Sequence, residues 1–331
     1  MIVDRALRRA CFAVSLILMA PLYAAGGRSP AVIVDHHVHV HSPAILPILS
    51  AYCASPGRTS KCDPDFSSPL TADDLLRAMD AAGIKRARVM STAYLAESPF
   101  MTPPAPDHVA IMRAANDFTV ALARAHPDRL DAYIGVNPIT STALPEIERW
   151  RDNHHVAGLK LHLANARFDY HRPDQVMMLA AVFRATASAH LRIMVHMRNQ
   201  AAGYGAEEAR IFLRDVLPAA RGTNVQIAHA AGWGGIDRPT LAALGVFADA
   251  CERDRAMCAN LRFDLVAIKP GTVSNEDRAA LVALMRKIGL SHFVPASDWP
   301  FARDLGAYYA AFETLPLTSA EWRQIASNIA P

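Results

Sequence analysis

Between residues 32 and 329 the sequence alternates eight times between a short apolar run with strand character and a stretch with helical periodicity. The predicted strands are 32–39, 85–91, 130–136, 157–163, 192–197, 224–230, 259–266 and 293–297. The helical stretches between and after them are 71–83, 103–125, 144–151, 173–189, 207–216, 240–252, 275–288 and 319–329. Strands separated by helices cannot pair as hairpins; they pair in parallel through right-handed crossovers, with helices on the outside. Eight such units predict a single (β/α)8 TIM barrel, with an extended proline-rich loop after the first strand. A doubly wound open sheet is the competing arrangement. It is disfavoured because no glycine-rich dinucleotide loop follows an early strand.

The segment before the first strand has a different character. Arg5, Arg8 and Arg9 precede an apolar run over 11–21, and small residues at Ala24 and Ala25 follow. This is the pattern of a cleavable export signal over 1–25, leaving 26–331 as the barrel domain. The apolar run is short for a membrane span, which takes about 20 residues. Periplasmic or secreted localisation is therefore expected, with no membrane attachment after cleavage. A net charge of +3 supplies no basic field for nucleic acid, so the expected partner is a small-molecule substrate. Homo-oligomerisation is left open. Beyond the signal lie Cys53, Cys62, Cys251 and Cys258, an even number that in an oxidising compartment suggests two disulfides. Three pairings are formally open. On the barrel, Cys53 and Cys62 share one top loop and Cys251 and Cys258 flank a bottom loop, so only these local pairs lie within bonding reach.

Chemistry collects at the strand ends. Alternation in the first strand puts Asp35, His37, His39 and His41 on one face, and His36, Val38 and Val40 on the other. Lys160 and His162 end the fourth strand, His196 the fifth and His229 the sixth, and Asp298 follows the eighth. In a parallel barrel all these ends open on one mouth, so residues distant in sequence would meet around one point.

The segments Val34-Asp-His-His37-Val-His39, Gly158-Leu-Lys-Leu-His162, Val195-His196, Ile227-Ala-His229 and Ser297-Asp-Trp-Pro300 occur in this order. With them the chain resembles the amidohydrolase superfamily, in the branch that includes aminocarboxymuconate semialdehyde decarboxylase. Leu317-Thr-Ser-Ala-Glu-Trp through Ser327-Asn-Ile-Ala330 is similar to that branch's last helix. The resemblance implies a catalytic divalent metal held by His37, His39, His196 and Asp298, one ion rather than two. Zn²⁺ suits such a set, and Mn²⁺, Fe²⁺ or Co²⁺ can occupy it. His39 and His41 form an equally spaced alternative pair, which matches the family less well. Asp298 and His229 would be the catalytic residues. Lys160 would bridge two metals if carboxylated, or orient a substrate as a plain cation.

The activity expected from this set is hydrolysis of a small amide, ester or lactone by a metal-activated water, whose pKa falls to about 7. Decarboxylation of an unsaturated carboxylic acid on the same scaffold is the alternative. A second alternative is a non-catalytic metal- or ligand-binding barrel. Arg198, Trp233, Arg262 and Arg303 are candidate substrate contacts near predicted strand ends, where Tyr94, Tyr204 and Phe301 also lie.

Overall fold

In the computed structural model, which describes residues 31–58, 62–101, 103–266 and 273–331, eight parallel strands follow one another around a single sheet in sequence order. They are β1 (Val34–Val38), β2 (Arg86–Met90), β3 (Leu130–Gly135), β4 (Val156–His162), β5 (Arg192–His196), β6 (Val225–Ile227), β7 (Leu261–Asp264) and β8 (Phe293–Val294). The proposed export signal lies outside the described residues. β8 is shorter than its apolar run because the residues after it leave β7 and close the barrel onto β1. His36 N donates to Pro295 O at 3.1 Å, Asp298 N to His37 O at 2.8 Å, and His39 N to Trp299 O at 2.7 Å. The expected barrel is the observed one.

Helices α1 (Leu46–Cys53), α2 (Ala72–Ala82), α3 (His108–Ala125), α4 (Ala143–Arg149), α5 (Pro173–Ser188) and α6 (Ala206–Ile211) accompany the first half of the chain. Helices α7 (Arg238–Arg253), α8 (Arg255–Cys258), α9 (Asn275–Ile288), α10 (Leu305–Ala310) and α11 (Ser319–Ser327) accompany the second. α2 shows why the local sequence folds as read. Thr71 Oγ1 accepts from Asp74 N at 3.3 Å while Asp74 Oδ2 accepts from Thr71 N at 2.8 Å, and Gly83 stops the helix in the left-handed region at φ +76°. α1 and α8 both lie in stretches that the sequence places in loops. The first carries Pro47 in its opening turn and has no side-chain cap; the second is capped by Asp254, whose carboxylate accepts from Ala256 N and Met257 N.

Apolar side chains of the helices and of the outward strand face form the main core, which includes Leu159, Leu161, Val195, Phe247 and Phe263. Inside the barrel Met90, Tyr133 and Met194 pack together. Tyr133 needs the room that Gly158 leaves, since a Cβ there would come within 2.4 Å of the tyrosine ring. Both local cysteine pairs are bonded, with Cα–Cα distances of 5.5 Å for Cys53–Cys62 and 5.4 Å for Cys251–Cys258.

Candidate metal centre

β1, the chain after β8, and the ends of β4, β5 and β6 deliver their side chains to one cavity of about 400 Å³ at the barrel mouth. Its floor is a tight group. His37, His39 and Asp298 each present a ligand atom, and the three atoms lie within 4.8 Å of one another. His37 Nε2 is 3.2 Å from His39 Nε2, and Asp298 Oδ1 is 3.4 and 3.2 Å from those two nitrogens. His39 Nδ1 faces Met90 O at 3.0 Å, and only a protonated nitrogen can donate to a carbonyl. Nε2 of His39 therefore carries a free lone pair directed at the group. Lys160 Nζ stands 2.8 Å from His37 Nε2, which makes that nitrogen an acceptor too. Two imidazole lone pairs and a carboxylate oxygen converging in a buried space repel one another unless a cation lies between them, so the donor set fits a divalent metal.

Around that floor the backbone is held in unusual conformations. Asp298 has φ +58°, and His229, Ala230 and Ala231 have φ +56°, +49° and +68°. Non-glycine residues there are strained and persist only where surrounding bonds enforce them. This turn is why β6 ends at Ile227, short of the run that the sequence suggested. Asp35 ties the first and last strand ends together, accepting from His37 N at 3.2 Å and Ser297 N at 3.1 Å. Burial pushes its carboxyl up to about 7 despite these bonds.

The other expected residues fall into place to different degrees. His196 lines the same cavity, its Nε2 buried without a hydrogen bond, but it stands outside the tight group and stacks on His162 with ring centroids 4.0 Å apart. His229 Nε2 lies 4.0 Å from Asp298 Oδ2, and its Nδ1 is buried without a partner. His41 is not part of the group; its ring nitrogens contact Thr92 Oγ1 at 2.9 Å and Phe66 O at 2.7 Å. Lys160 is fully buried, and burial lowers its pKa to about 8 against the pull of Asp298 and Asp264. For Asp298, burial pushes the carboxyl up, but positive charge at the position of His37 and His39, as when those rings are protonated, outweighs it and holds the group well below its ordinary range.

Of the candidate substrate contacts, Trp233 lines the cavity, as do Tyr94 and Phe301. Arg198, Arg262 and Arg303 do not line it, because each guanidinium has a partner elsewhere. Arg198 pairs with Asp237 at 2.7 Å, Arg303 with Asp65 at 2.6 Å, and Arg262 donates to the carbonyls of Ala259 and Leu261. Tyr204 donates to Ala231 O at 2.5 Å. The cavity cation that sequence reasoning passed over is Arg58. Its guanidinium lies 4.5 Å over the Tyr52 ring, and among the described residues no carboxylate pairs with it. It sits inside the loop closed by the Cys53–Cys62 bond, far from any strand end, and that placement hid it. Tyr52, Asn165 and His162 were missed as well; the Tyr52 hydroxyl donates to Asn165 Oδ1, and Asn165 N to His162 Nδ1 at 3.4 Å.

No family model matches the chain, and no curated protein matches it. Among solved structures, 5-carboxyvanillate decarboxylase from Sphingomonas paucimobilis is similar at a TM-score of 0.60 and 16% identity, covering 90% of this chain and 97% of that one. A structure described as an amidohydrolase II gives a TM-score of 0.60 and 18% identity over 88% of this chain and 96% of that one. A 5-carboxyvanillate decarboxylase from Novosphingobium aromaticivorans, in complex with manganese and 4-hydroxy-3-methoxy-5-nitrobenzoic acid, gives 0.59 and 14% over 91% and 95%. The likeness is one of fold, and at that level the resemblance carried by the motifs is met. It also corrects the expected reaction. Apart from the amidohydrolase II, the neighbours named here are decarboxylases, so hydrolysis of an amide, ester or lactone gives way to the alternative. The metal named with the bound complex is manganese, and zinc has no such support.

Proposed function

We propose that this chain is a metal-dependent decarboxylase of the amidohydrolase-superfamily type, acting on a small aromatic carboxylic acid with a ring hydroxyl. The observation that carries the reading is the convergence of His37, His39 and Asp298 at the floor of a cavity that also holds the guanidinium of Arg58. The fold neighbours named above, and the nitrobenzoic acid in one of them, support the substrate class.

A divalent ion bound by His37, His39 and Asp298, with His196 lining the same cavity, would supply positive charge beside the substrate's acid group and neighbouring oxygen. The rest is the work of the chain's own residues. Arg58 offers a planar fork that holds a second oxygen pair of the substrate in place. Trp233 and Tyr94 give the ring apolar walls and exclude water. As CO2 leaves, the ring carbon must take a proton, and the His229–Asp298 pair, whose nearest atoms are 4.0 Å apart, is placed to relay one to it from solvent at the cavity mouth. Lys160, buried below, keeps a positive charge beside His37 and limits the repulsion among the carboxylates of substrate, Asp264 and Asp298.

We further propose that the protein is exported. Support comes from the arginine-then-apolar pattern of 1–25 and from two disulfides, which persist in an oxidising compartment. The test of the main reading is CO2 release from a panel of hydroxylated benzoic acids by Mn²⁺-loaded protein, with and without chelator. Metal-dependent CO2 release from at least one acid is expected. Proton release from esters or lactones with no CO2 from any acid would contradict it.

A further inference from the structure

The side chain that ends β7 has so far entered only as a charge near Lys160, yet it touches both halves of the site. Asp264 is completely buried. Its Oδ1 accepts from the backbone nitrogen of His229 at 2.6 Å, at the first of the three left-handed residues. Its Oδ2 accepts from Gln226 Nε2 at 2.8 Å and lies 3.3 Å from His37 Nδ1, a nitrogen that makes no hydrogen bond as it stands. Because His37 Nε2 faces the Lys160 ammonium, the His37 proton belongs on Nδ1, facing this carboxylate. Gln226 is itself oriented. Its Nε2 also reaches His36 O at 3.2 Å, and its Oε1 accepts from Arg88 at 3.4 Å, with Arg88 donating in turn to Ala330 O.

We propose that Asp264 is the positioning residue of the metal centre. As a charged acceptor it fixes the tautomer and ring orientation of His37, and through His229 N it sets where His229 stands over the substrate. The inference rests on the metal reading. A histidine that binds a metal through one nitrogen is held and made more basic by an acceptor on the other, and loss of that acceptor weakens metal affinity about 10–100-fold.

The test separates this role from mere structural support. In Asp264→Asn the amide oxygen can still accept from His229 N, but the amide nitrogen meets Gln226 Nε2 and the His37 Nδ1 proton, donor against donor. Adding Gln226→Glu gives that amide nitrogen an acceptor again, while His37 still faces an N–H. Mn²⁺ affinity is read from the free-ion electron paramagnetic resonance signal, and stability from thermal melting. Expected are about 10–100-fold weaker Mn²⁺ binding in both the single and the double variant, with the melting temperature recovered in the double. Parental affinity in the single variant, or affinity recovered together with stability in the double, would overturn the proposal. ¹⁵N spectra of His37 in the metal-free parent test it without any substitution: the Nδ1–H tautomer is expected, and Nε2–H would overturn it. A parent protein that binds no Mn²⁺ at all would instead remove the metal reading, and this proposal with it.

Discussion

His39 and His229 are both buried imidazoles at strand ends, yet their surroundings assign them different work. His39 donates to Met90 O and turns a bare nitrogen on His37 and Asp298, so His39→Ala should abolish Mn²⁺ binding and activity together. His229 stands outside the tight group, so His229→Ala should keep the metal and lower kcat by about 10²–10⁴-fold. Metal content measured beside turnover checks both; equal metal loss in the two variants would refute the division. Lys160 makes a prediction of opposite sign for stability. Its folded pKa of about 8 lies below the ordinary 10.5, so the folded metal-free protein binds fewer protons than the unfolded chain between those values. The penalty for burying the charge is complete below pH 8 and fades as pH rises through 10.5. Lys160→Met should accordingly stabilise the metal-free protein at neutral pH, by on the order of 1–3 kcal/mol, with the gain shrinking in alkali. Denaturant midpoints at pH 7 and pH 10 read it.

At the scale of elements, the strands were legible because their apolar runs are bounded by turn chemistry, and the site because four strand ends and the chain after β8 carry the histidines, the lysine and the aspartate. What could not be read lay where tertiary bonds override local pattern. β6 stops at Ile227 since Asp264 pulls His229 N into a left-handed turn, a contact between residues 35 apart in sequence. Arg198, Arg262 and Arg303 look from sequence as available as Arg58; only the fold gives the first and third carboxylates and the second a pair of carbonyls. The loop that carries Arg58 is closed by Cys53–Cys62 and pinned over the mouth by Phe66 stacked on Phe301 at 5.4 Å and by Asp65 paired with Arg303. Opening that disulfide by Cys53→Ser with Cys62→Ser should raise KM more than it lowers kcat, and lower stability by about 2–3 kcal/mol through the freed loop. Steady-state kinetics beside thermal melting check it; an unchanged KM would mean that the loop does not present Arg58 to the substrate.

For the molecule as a whole, one barrel does two things with the same geometry. Parallel closure from β1 to β8 brings every strand end to one rim, and the bonds from 295–299 back to β1 set Asp298 opposite His37 and His39. A polar chain runs down through Asp264, Gln226 and Arg88 to Ala330, so the site is braced from the floor of the barrel as well as from its mouth. The whole account depends on these groups sharing a cation. Anomalous diffraction from a crystal of the Mn²⁺-loaded protein tests that most directly. One strong peak bonded to His37 Nε2, His39 Nε2 and an oxygen of Asp298 is the predicted result; a fully loaded crystal with its manganese elsewhere and none between these three side chains would contradict it.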